Sequence, residues 1–325
     1  MKVRAAWLVV GKAFFTSAFA FAVASHSAIS QEFPTKPLRM IVGFVAGSGV
    51  DVSGRIVAQF LSEGFGQPGV VENKPGMASI VAARDVSKAT PDGYTLFMCT
   101  TSSHVTGPYL TRQQPYDPIK DFTLIAQVVE SYLVAAVPAT IPPNSLKEFA
   151  AWAKANAGKV YYASPGVGGS SHLLAERFNR AAGLGMTHVP YKGSGVAELA
   201  SGETQILFAL PATINIGPRL KLLAVSSSKR MADLPHVPTA REAGFPEVET
   251  ALWQGVCGPG NIPTEIVARL TEEIRRGLAR PDVRERYAKL GTPATYRGPT
   301  EFAELAKGDV ASWLPIIKAS GATLD

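Results

Sequence analysis

Three short stretches hold most of the groups in this chain that could do chemistry: Gly47-Ser48-Gly49 with Asp51 just behind, Thr100-Thr101-Ser102-Ser103-His104, and Gly166 to Ser171. Each is rich in glycine and hydroxyl residues and follows a run that reads as a strand. Such loops suit the capture of a small anion, because a helix starting there offers unpaired N–H groups and a partial positive charge. One helix end contributes ~0.3 to 1 kcal/mol, up to ~2 when partly buried. A micromolar ligand needs about 8 kcal/mol, so two or three loops must close on the same anion. Asp51 reads as an N-cap or first-turn residue, with the holding of an ammonium group as the alternative.

Catalytic signatures fail. Gly47-Ser-Gly-Val-Asp-Val52 has valine where a dinucleotide fingerprint needs its third glycine, and Gly166 to Ser171 has serine there. There is no nucleophile elbow and no phosphate loop with Gly-Lys-Ser/Thr. His104, His172 and His188 are the candidate bases. His172 follows Ser170 and Ser171, but adjacency at a helix start does not make a nucleophile–base pair, so packing or hydrogen-bonding histidines are expected. Cys99 and Cys257 are the only cysteines. Each lies in an apolar, strand-like run, and two buried thiols are expected, with a disulfide as the alternative in an oxidising compartment. No Cys/His spacing resembles a zinc site, and no metal or cofactor is expected.

The elements that position these loops alternate. Leu38 to Phe44 is a short apolar run ending at glycine, hence a buried strand. Asp51 to Glu63 places Val52, Ile56, Val57, Phe60 and Leu61 on one helical face. Strands are expected at Val70-Val71, Tyr94 to Met98, Val160 to Ala163, Thr187 to Val189, Ile206 to Phe208 and Leu222 to Val225. Helices are expected over 80–89, 146–155, 172–182, 263–278, 282–289 and 300–319, with a short one after Gly195. Thr123 to Val137 is either two strands or one that crosses between lobes. Alternating strands and helices imply parallel sheets flanked by helices. An α/β chain of two lobes follows, with 131–245 inserted into a first lobe of 31–130 plus 246–325.

The N-terminus reads as a signal peptide over 1–30. Lys2, Arg4 and Lys12 precede the apolar run Ala13 to Ala24, and small residues mark cleavage after Ala24 or after Ser30. The run is short of the ~20 residues a membrane span needs. Loss of those three basic residues takes the net charge from +6 to +3. With no Lys/Arg cluster, nucleic acid is not the expected partner. A soluble, exported, monomeric chain of roughly 295 residues, large enough for two lobes, is expected.

An ordered set of motifs then resembles a known family. Pro34-x-Lys-Pro-Leu-Arg, Gly47-x-Gly-x-Asp51, Val71-Glu-Asn-Lys-Pro-Gly76 and Pro91-Asp-Gly-Tyr-Thr95 come first. Tyr116-Asp-Pro-x-Lys-Asp-Phe122, Tyr162-Ala-Ser164, His188-Val-Pro-Tyr-Lys-Gly193 and Leu234-Pro-x-Val-Pro-Thr239 follow. Together they resemble the substrate-binding proteins of tripartite tricarboxylate transporters (TctC or Bug type), across nearly all of the chain after the leader. The resemblance implies a periplasmic, two-lobed Venus-flytrap protein that takes a small carboxylate into its cleft for membrane transporter subunits. By matching position it implies ligand contacts at Gly47, Ser48 and Gly49, at Thr101, Ser102 and Ser103, and at Ser164, Gly168, Gly169, Ser170 and Ser171. The chain departs from the family at Val45, Ala46 and Val50, at Met77-Ala78-Ser79 in place of a glycine loop, and at Ala209 in place of an aspartate. These changes point to a carboxylate without an amino group. The rival readings are an exported hydrolase using Ser170 or Ser171 with a histidine, and a degenerated binding protein acting as a sensor or partner.

Overall fold

The computed structural model describes residues 33–214 and 217–324. The expected signal peptide and its cleavage sites lie outside the described residues. The chain runs β1 (Leu38–Val42), α1 (Gly49–Phe65), β2 (Gly69–Asn73), α2 (Ile80–Ser87), β3 (Thr95–Thr100), β4 (Phe122–Ser131) and β5 (Val134–Pro138). It continues with α3 (Leu146–Ala155), β6 (Tyr161–Ser164), α4 (Ser170–Ala181), β7 (Thr187–Pro190), α5 (Val196–Ser201), β8 (Ile206–Ala209) and β9 (Leu220–Val225). It ends with β10 (Leu252–Pro259), α6 (Thr264–Ala279), α7 (Pro281–Lys289), β11 (Ala294–Arg297) and α8 (Pro299–Ser320).

The strands form two sheets, in the orders β11-β4-β10-β3-β1-β2 and β7-β6-β8-β5-β9. Both are mixed, with most strands of each running the same way. Strands β1, β2 and β3 pair in parallel, as do β6, β7 and β8, whereas β4, β10 and β11, and likewise β5 and β9, join antiparallel. The physical reason is the crossing. The apolar stretch around Thr123 to Val137 is two strands, β4 in one sheet and β5 in the other. The chain returns after β9 into β10, and a strand that arrives from the other sheet need not follow a right-handed helical crossover.

Ser226, 2% exposed, stitches these crossings together. Its Oγ accepts from Leu133 N at 3.0 Å and donates to Thr250 O at 2.8 Å. Its N–H donates to Leu133 O, and its carbonyl accepts from Thr250 N.

Helix α1 shows why the local elements form. Ser48 caps it by accepting from Asp51 N, Ile56, Val57, Phe60 and Leu61 are buried on one face, and Gly66 ends it in the left-handed region. In β10, Trp253 packs edge-on against Phe302 of α8 with ring centroids 4.9 Å apart. Helix α8 then reaches α4, where the Arg177 guanidinium lies 4.3 Å over the Trp313 ring. Among the described residues no helix is long and apolar enough to cross a membrane.

Candidate functional site

Parallel strands place the loops that follow them along one sheet edge, the usual ligand position in open α/β sheets. The loop after β1 is fastened by Asp51, which is 2% exposed. Its Oδ2 accepts from Gly47 N at 2.8 Å and from Arg55 Nε at 2.9 Å, and its Oδ1 accepts from Asn73 Nδ2 at 2.8 Å. Burial works against the Asp51 charge, but Arg55, Gly47 and Asn73 outweigh it and hold the carboxyl below its usual value. Ser48 is therefore the cap and Asp51 the clasp behind it. Gly47 adopts φ +81°, and a Cβ on Gly47 or Gly49 would meet nothing within 4 Å. The first-turn N–H groups of Gly49 and Val50 have no carbonyl four residues back within the helix and sit beside that open space.

The loop after β2 is held under strain. Met77, Ala78 and Ser79 have φ of 45°, 52° and 76°, three consecutive non-glycine residues in the left-handed region, at about 1–3 kcal/mol each. The Ser79 hydroxyl is buried without a hydrogen-bond partner. It fills the space in which a side chain on Gly43 would sit, 1.7 Å from that Cβ position. The loop after β3 packs on the start of α2, for a Cβ on Gly107 would lie 2.6 Å from Ser102 O and 3.2 Å from Ile80. From the second sheet, Gly168 meets this third loop: its Cβ position is 2.6 Å from Leu110 Cδ1. A chain of contacts thus runs from the first loop through the second and third to the glycine loop before α4.

That arrangement matches proteins already known. Residues 54–322 fit the model of the tripartite tricarboxylate transporter family receptor, TctC. The chain belongs to this family. It is 32% identical over 311 residues to the "UPF0065 protein in gbd 5'region" of Cupriavidus necator, covering 94% of each chain. It is similar to a solved periplasmic transporter protein (34% identity, TM-score 0.76, 90% of this chain and 100% of that one). Rpa4515 of R. palustris, solved with adipate, is 30% identical with TM-score 0.75 over 90% and 99%. MatC of Rhodopseudomonas palustris, solved with bound malate, is 30% identical with TM-score 0.73 over 88% and 100%. The fold is the α/β two-lobed periplasmic binding protein fold, and the chain is a binding protein, not an enzyme.

Within this receptor the twelve residues singled out from sequence divide by orientation. Gly47, Ser48, Gly49, Ser102, Gly169 and Ser170 are exposed or half-buried. The hydroxyls of the others build the loops. Thr101 Oγ1 accepts from Trp253 N at 2.9 Å. Ser103 Oγ accepts from Thr100 N at 2.9 Å and lies 2.9 Å from His104 Nδ1. Ser171 Oγ donates to Phe208 O. Gly168 is buried at φ +75°, its N–H donating to His172 Nδ1 at 2.9 Å. Ser164 Oγ donates to Gly166 O at 2.9 Å and lies 2.6 Å from His188 Nε2. That Ser–His contact has 0% exposure at the serine, so no substrate reaches it.

Two clusters were hidden from sequence reading because strand register completes each of them. Tyr162, His172 and His188 stack, with the two imidazole centroids 3.9 Å apart and 12° from parallel. Burial lowers His172 to about 4, and burial together with the neighbouring His172 takes His188 to about 4. Both are neutral props under the glycine loop. In the first sheet Cys99, His104 and Cys257 bring their ligand atoms within 4.8 Å of one another. Cys99 Sγ donates to Gly255 O at 3.3 Å, and Cys257 Sγ lies 3.6 Å from His104 Nε2. Both cysteines are buried free thiols.

Cavity size does not find this edge. A cavity of about 590 Å³ lies between α4 and α8, lined by Arg177, Glu247 and Ser312 among others. One of about 370 Å³ lies by Tyr132, Met231 and Gly291 at the crossing. Neither includes a residue of the glycine loops. In the first, Arg177 already donates to Ser312 and covers Trp313.

Proposed function

We propose that this chain is an exported, monomeric receptor that captures a small carboxylate between its lobes and delivers it to the membrane subunits of a tripartite tricarboxylate-type transporter. The observation that carries this reading is the open N-terminus of the 17-residue helix α1, flanked by Ser48 and by glycines with free space before them, with the first-turn carboxylate of Asp51 already held by Gly47, Arg55 and Asn73. Adipate and malate in the similar structures support it. The carboxylate takes the N–H groups of Gly49 and Val50 and the Ser48 hydroxyl on one side, and Ser102 and Ser170 on the other. Closure is a hinge motion at the two crossings stitched by Ser226, driven by contacts to both lobes.

Ser170 tests the facing half. It is the first residue of α4 behind the cap Gly169, so it is not itself the cap, and its hydroxyl has no protein partner among the described residues. Ser170→Ala is expected to weaken carboxylate binding by about 1 to 3 kcal/mol, the range for a hydrogen bond to a charged group, with the melting temperature unchanged. Calorimetry with adipate and malate beside melting curves checks this. Unchanged affinity for every carboxylate tried removes Ser170 from the site. Export is expected to be accompanied by processing between Ala24 and Gln31. Mass spectrometry of periplasmic material reads this directly, and a protein still beginning at Met1 contradicts it.

A further inference from the structure

Cys99 near the end of β3, His104 in the loop after it and Cys257 in β10 meet inside the first sheet. Each offers one ligand atom, and the three atoms lie within 4.8 Å of one another. All three residues are 0% exposed. Among the described residues no other three His, Cys, Asp or Glu side chains gather in this way.

The register argues against the commoner fate of two cysteines in an oxidising compartment. Cys99 stands opposite Gly255 and Cys257 opposite Phe97, so the two are diagonal neighbours. Diagonal partners in an antiparallel pair lie ~7–8 Å apart, beyond the ~4.4–6.8 Å between Cα atoms that a disulfide spans. An ion bridges the longer gap. With metal–sulfur and metal–nitrogen lengths of ~2.3 and ~2.0 Å, two bound sulfurs sit ~3.8–4.0 Å apart and a sulfur and an imidazole nitrogen ~3.6 Å. Cys257 Sγ already lies 3.6 Å from His104 Nε2.

The imidazole is held in the form that ligates. Ser103 Oγ donates to Thr100 O at 3.1 Å, so the proton between it and His104 Nδ1, 2.9 Å away, comes from the ring. That tautomer leaves the Nε2 lone pair facing Cys257. Ser103 is itself fixed: its N–H donates to Thr100 Oγ1 at 3.2 Å, and the Tyr116 hydroxyl donates to its carbonyl at 2.7 Å. An outer partner that sets tautomer and ring orientation is the usual companion of a ligating histidine. Phe122, with ring centroid 4.5 Å from that of His104, stands beside it with Phe97 and Trp253, an apolar wall against solvent.

Charge and ligand count select the ion. Two thiols and a neutral imidazole carry no charge, and an unpaired charge is costly in a dry interior. A monovalent ion that displaces one thiol proton to solvent keeps the cluster neutral. A divalent ion that displaces both also does so, but zinc takes four ligands in a closed site. Here there are three, and none of the residues is open to solvent. Thiolate sites favour soft Cu(I), an ion satisfied by two or three ligands.

We propose that Cys99, Cys257 and His104 bind one Cu(I) ion through their two sulfurs and the His104 Nε2. The ion ties β3 and β10 to the loop that carries Ser102. The site is independent of which solute the receptor takes.

The exported full chain is unfolded, refolded without oxygen in the presence of Cu(I) or of Zn(II), and dialysed against bicinchoninate or EDTA. Refolding with the ion present matters because the three residues are closed to solvent. One copper retained per chain is expected, with no zinc retained and with a copper absorption edge fitted by two sulfurs and one nitrogen. The copper-loaded chain is expected to melt above the copper-free one. Cys99→Ala and Cys257→Ala, each replacing a buried thiol by a smaller apolar group, are expected to fold by circular dichroism and to lose the copper. The chain has no other cysteine to substitute for them. If either variant fails to fold, the stoichiometry and edge of the unaltered chain still decide. A chain that retains no copper overturns the site, as does a folded Cys257→Ala protein that keeps it. A shell of two sulfurs without nitrogen overturns the role of His104, and zinc retained in place of copper overturns the choice of ion. A Cys99–Cys257 disulfide found by mass spectrometry in the freshly exported protein overturns the proposal as a whole.

Discussion

Asp51→Ala is expected to cost about 2–3 kcal/mol of stability and to weaken carboxylate binding by about tenfold or more. A hydrogen bond to a charged group contributes ~1.5 to 3 kcal/mol, and Asp51 accepts three. The sum is discounted because Gly47 is exposed and the Arg55 side chain is half exposed, so both donors regain water. The larger consequence is for function. Gly47 N–H is turned back onto Asp51, and that bond shapes the loop that leaves Gly49 and Val50 free. Without the clasp, the loop must be ordered when the solute binds, and about 1.4 kcal/mol of ordering is already a factor of ten. Asp51→Asn is expected to behave almost as badly, because every neighbour is a donor and the amide must turn its own N–H toward one of them. Urea unfolding with calorimetry on both variants tests this. A stable Asp51→Asn protein that loses only amino-acid binding makes Asp51 an ammonium partner instead.

The fold was legible from sequence wherever one face of an element had to be buried. Helix α3 occupies the residues expected of it, Leu146–Ala155, because Ser145 caps it and its Leu146, Phe149, Ala150 and Ala153 face is buried. The antiparallel members of the sheets, β5, β10 and β11, were not legible for a physical reason. Periodicity reports burial, not strand direction, and β4, β5 and β10 are largely buried on both faces whether they run up or down. Strand β11, only Ala294–Arg297 and half-buried, carries too little apolar pattern to stand out.

The site was legible to the level of loops and no further. Glycine and hydroxyl composition singled out loops that do follow strands, but composition does not say where a hydroxyl points. Thr101, Ser103, Ser164 and Ser171 look the same in sequence as Ser102 and Ser170, yet only the last two are left facing outward. Asp51 was read correctly as a first-turn residue, although the cap itself is Ser48. The stack of His172 on His188 and the meeting of Cys99, His104 and Cys257 depend on strand register. His172 and His188 are 16 positions apart and Cys257 lies 153 and 158 positions from His104 and Cys99, and no spacing rule reaches that far. The left-handed run at Met77 to Ser79 is invisible for the opposite reason: local propensity argues against it, and only tertiary contact maintains it.

Acid is expected to loosen this protein well before its carboxylates are all protonated. His172 and His188 have folded values of about 4, and burial takes His104 to about 3, against ~6.5 in the unfolded chain. Between pH 6.5 and about 4 the unfolded state therefore binds more protons than the folded one, so stability is full above 6.5 and falls as the pH drops. Asp309 works the other way: burial raises it to about 6 although Trp253 Nε1 donates to it at 2.8 Å. Below pH 6 it takes up a proton in the folded state first and offsets one histidine. The net is about two protons, and each proton corresponds to ~1.4 kcal/mol per pH unit. With partial solvent access at His188, a fall of about 2 kcal/mol per unit between pH 6 and 4.5 is expected. The effect should reach the site before it reaches the fold. A proton on His172 Nδ1 removes the acceptor of Gly168 N–H and sets a cation 3.9 Å from the neighbouring ring, freeing the glycine loop before α4. Urea midpoints and the affinities for adipate and malate measured from pH 7.5 to 4.5 test both parts. His172→Gln should flatten the affinity profile, since its amide oxygen still accepts from Gly168 without titrating. A midpoint constant across that range, or an affinity that falls only with global unfolding, refutes the histidine account.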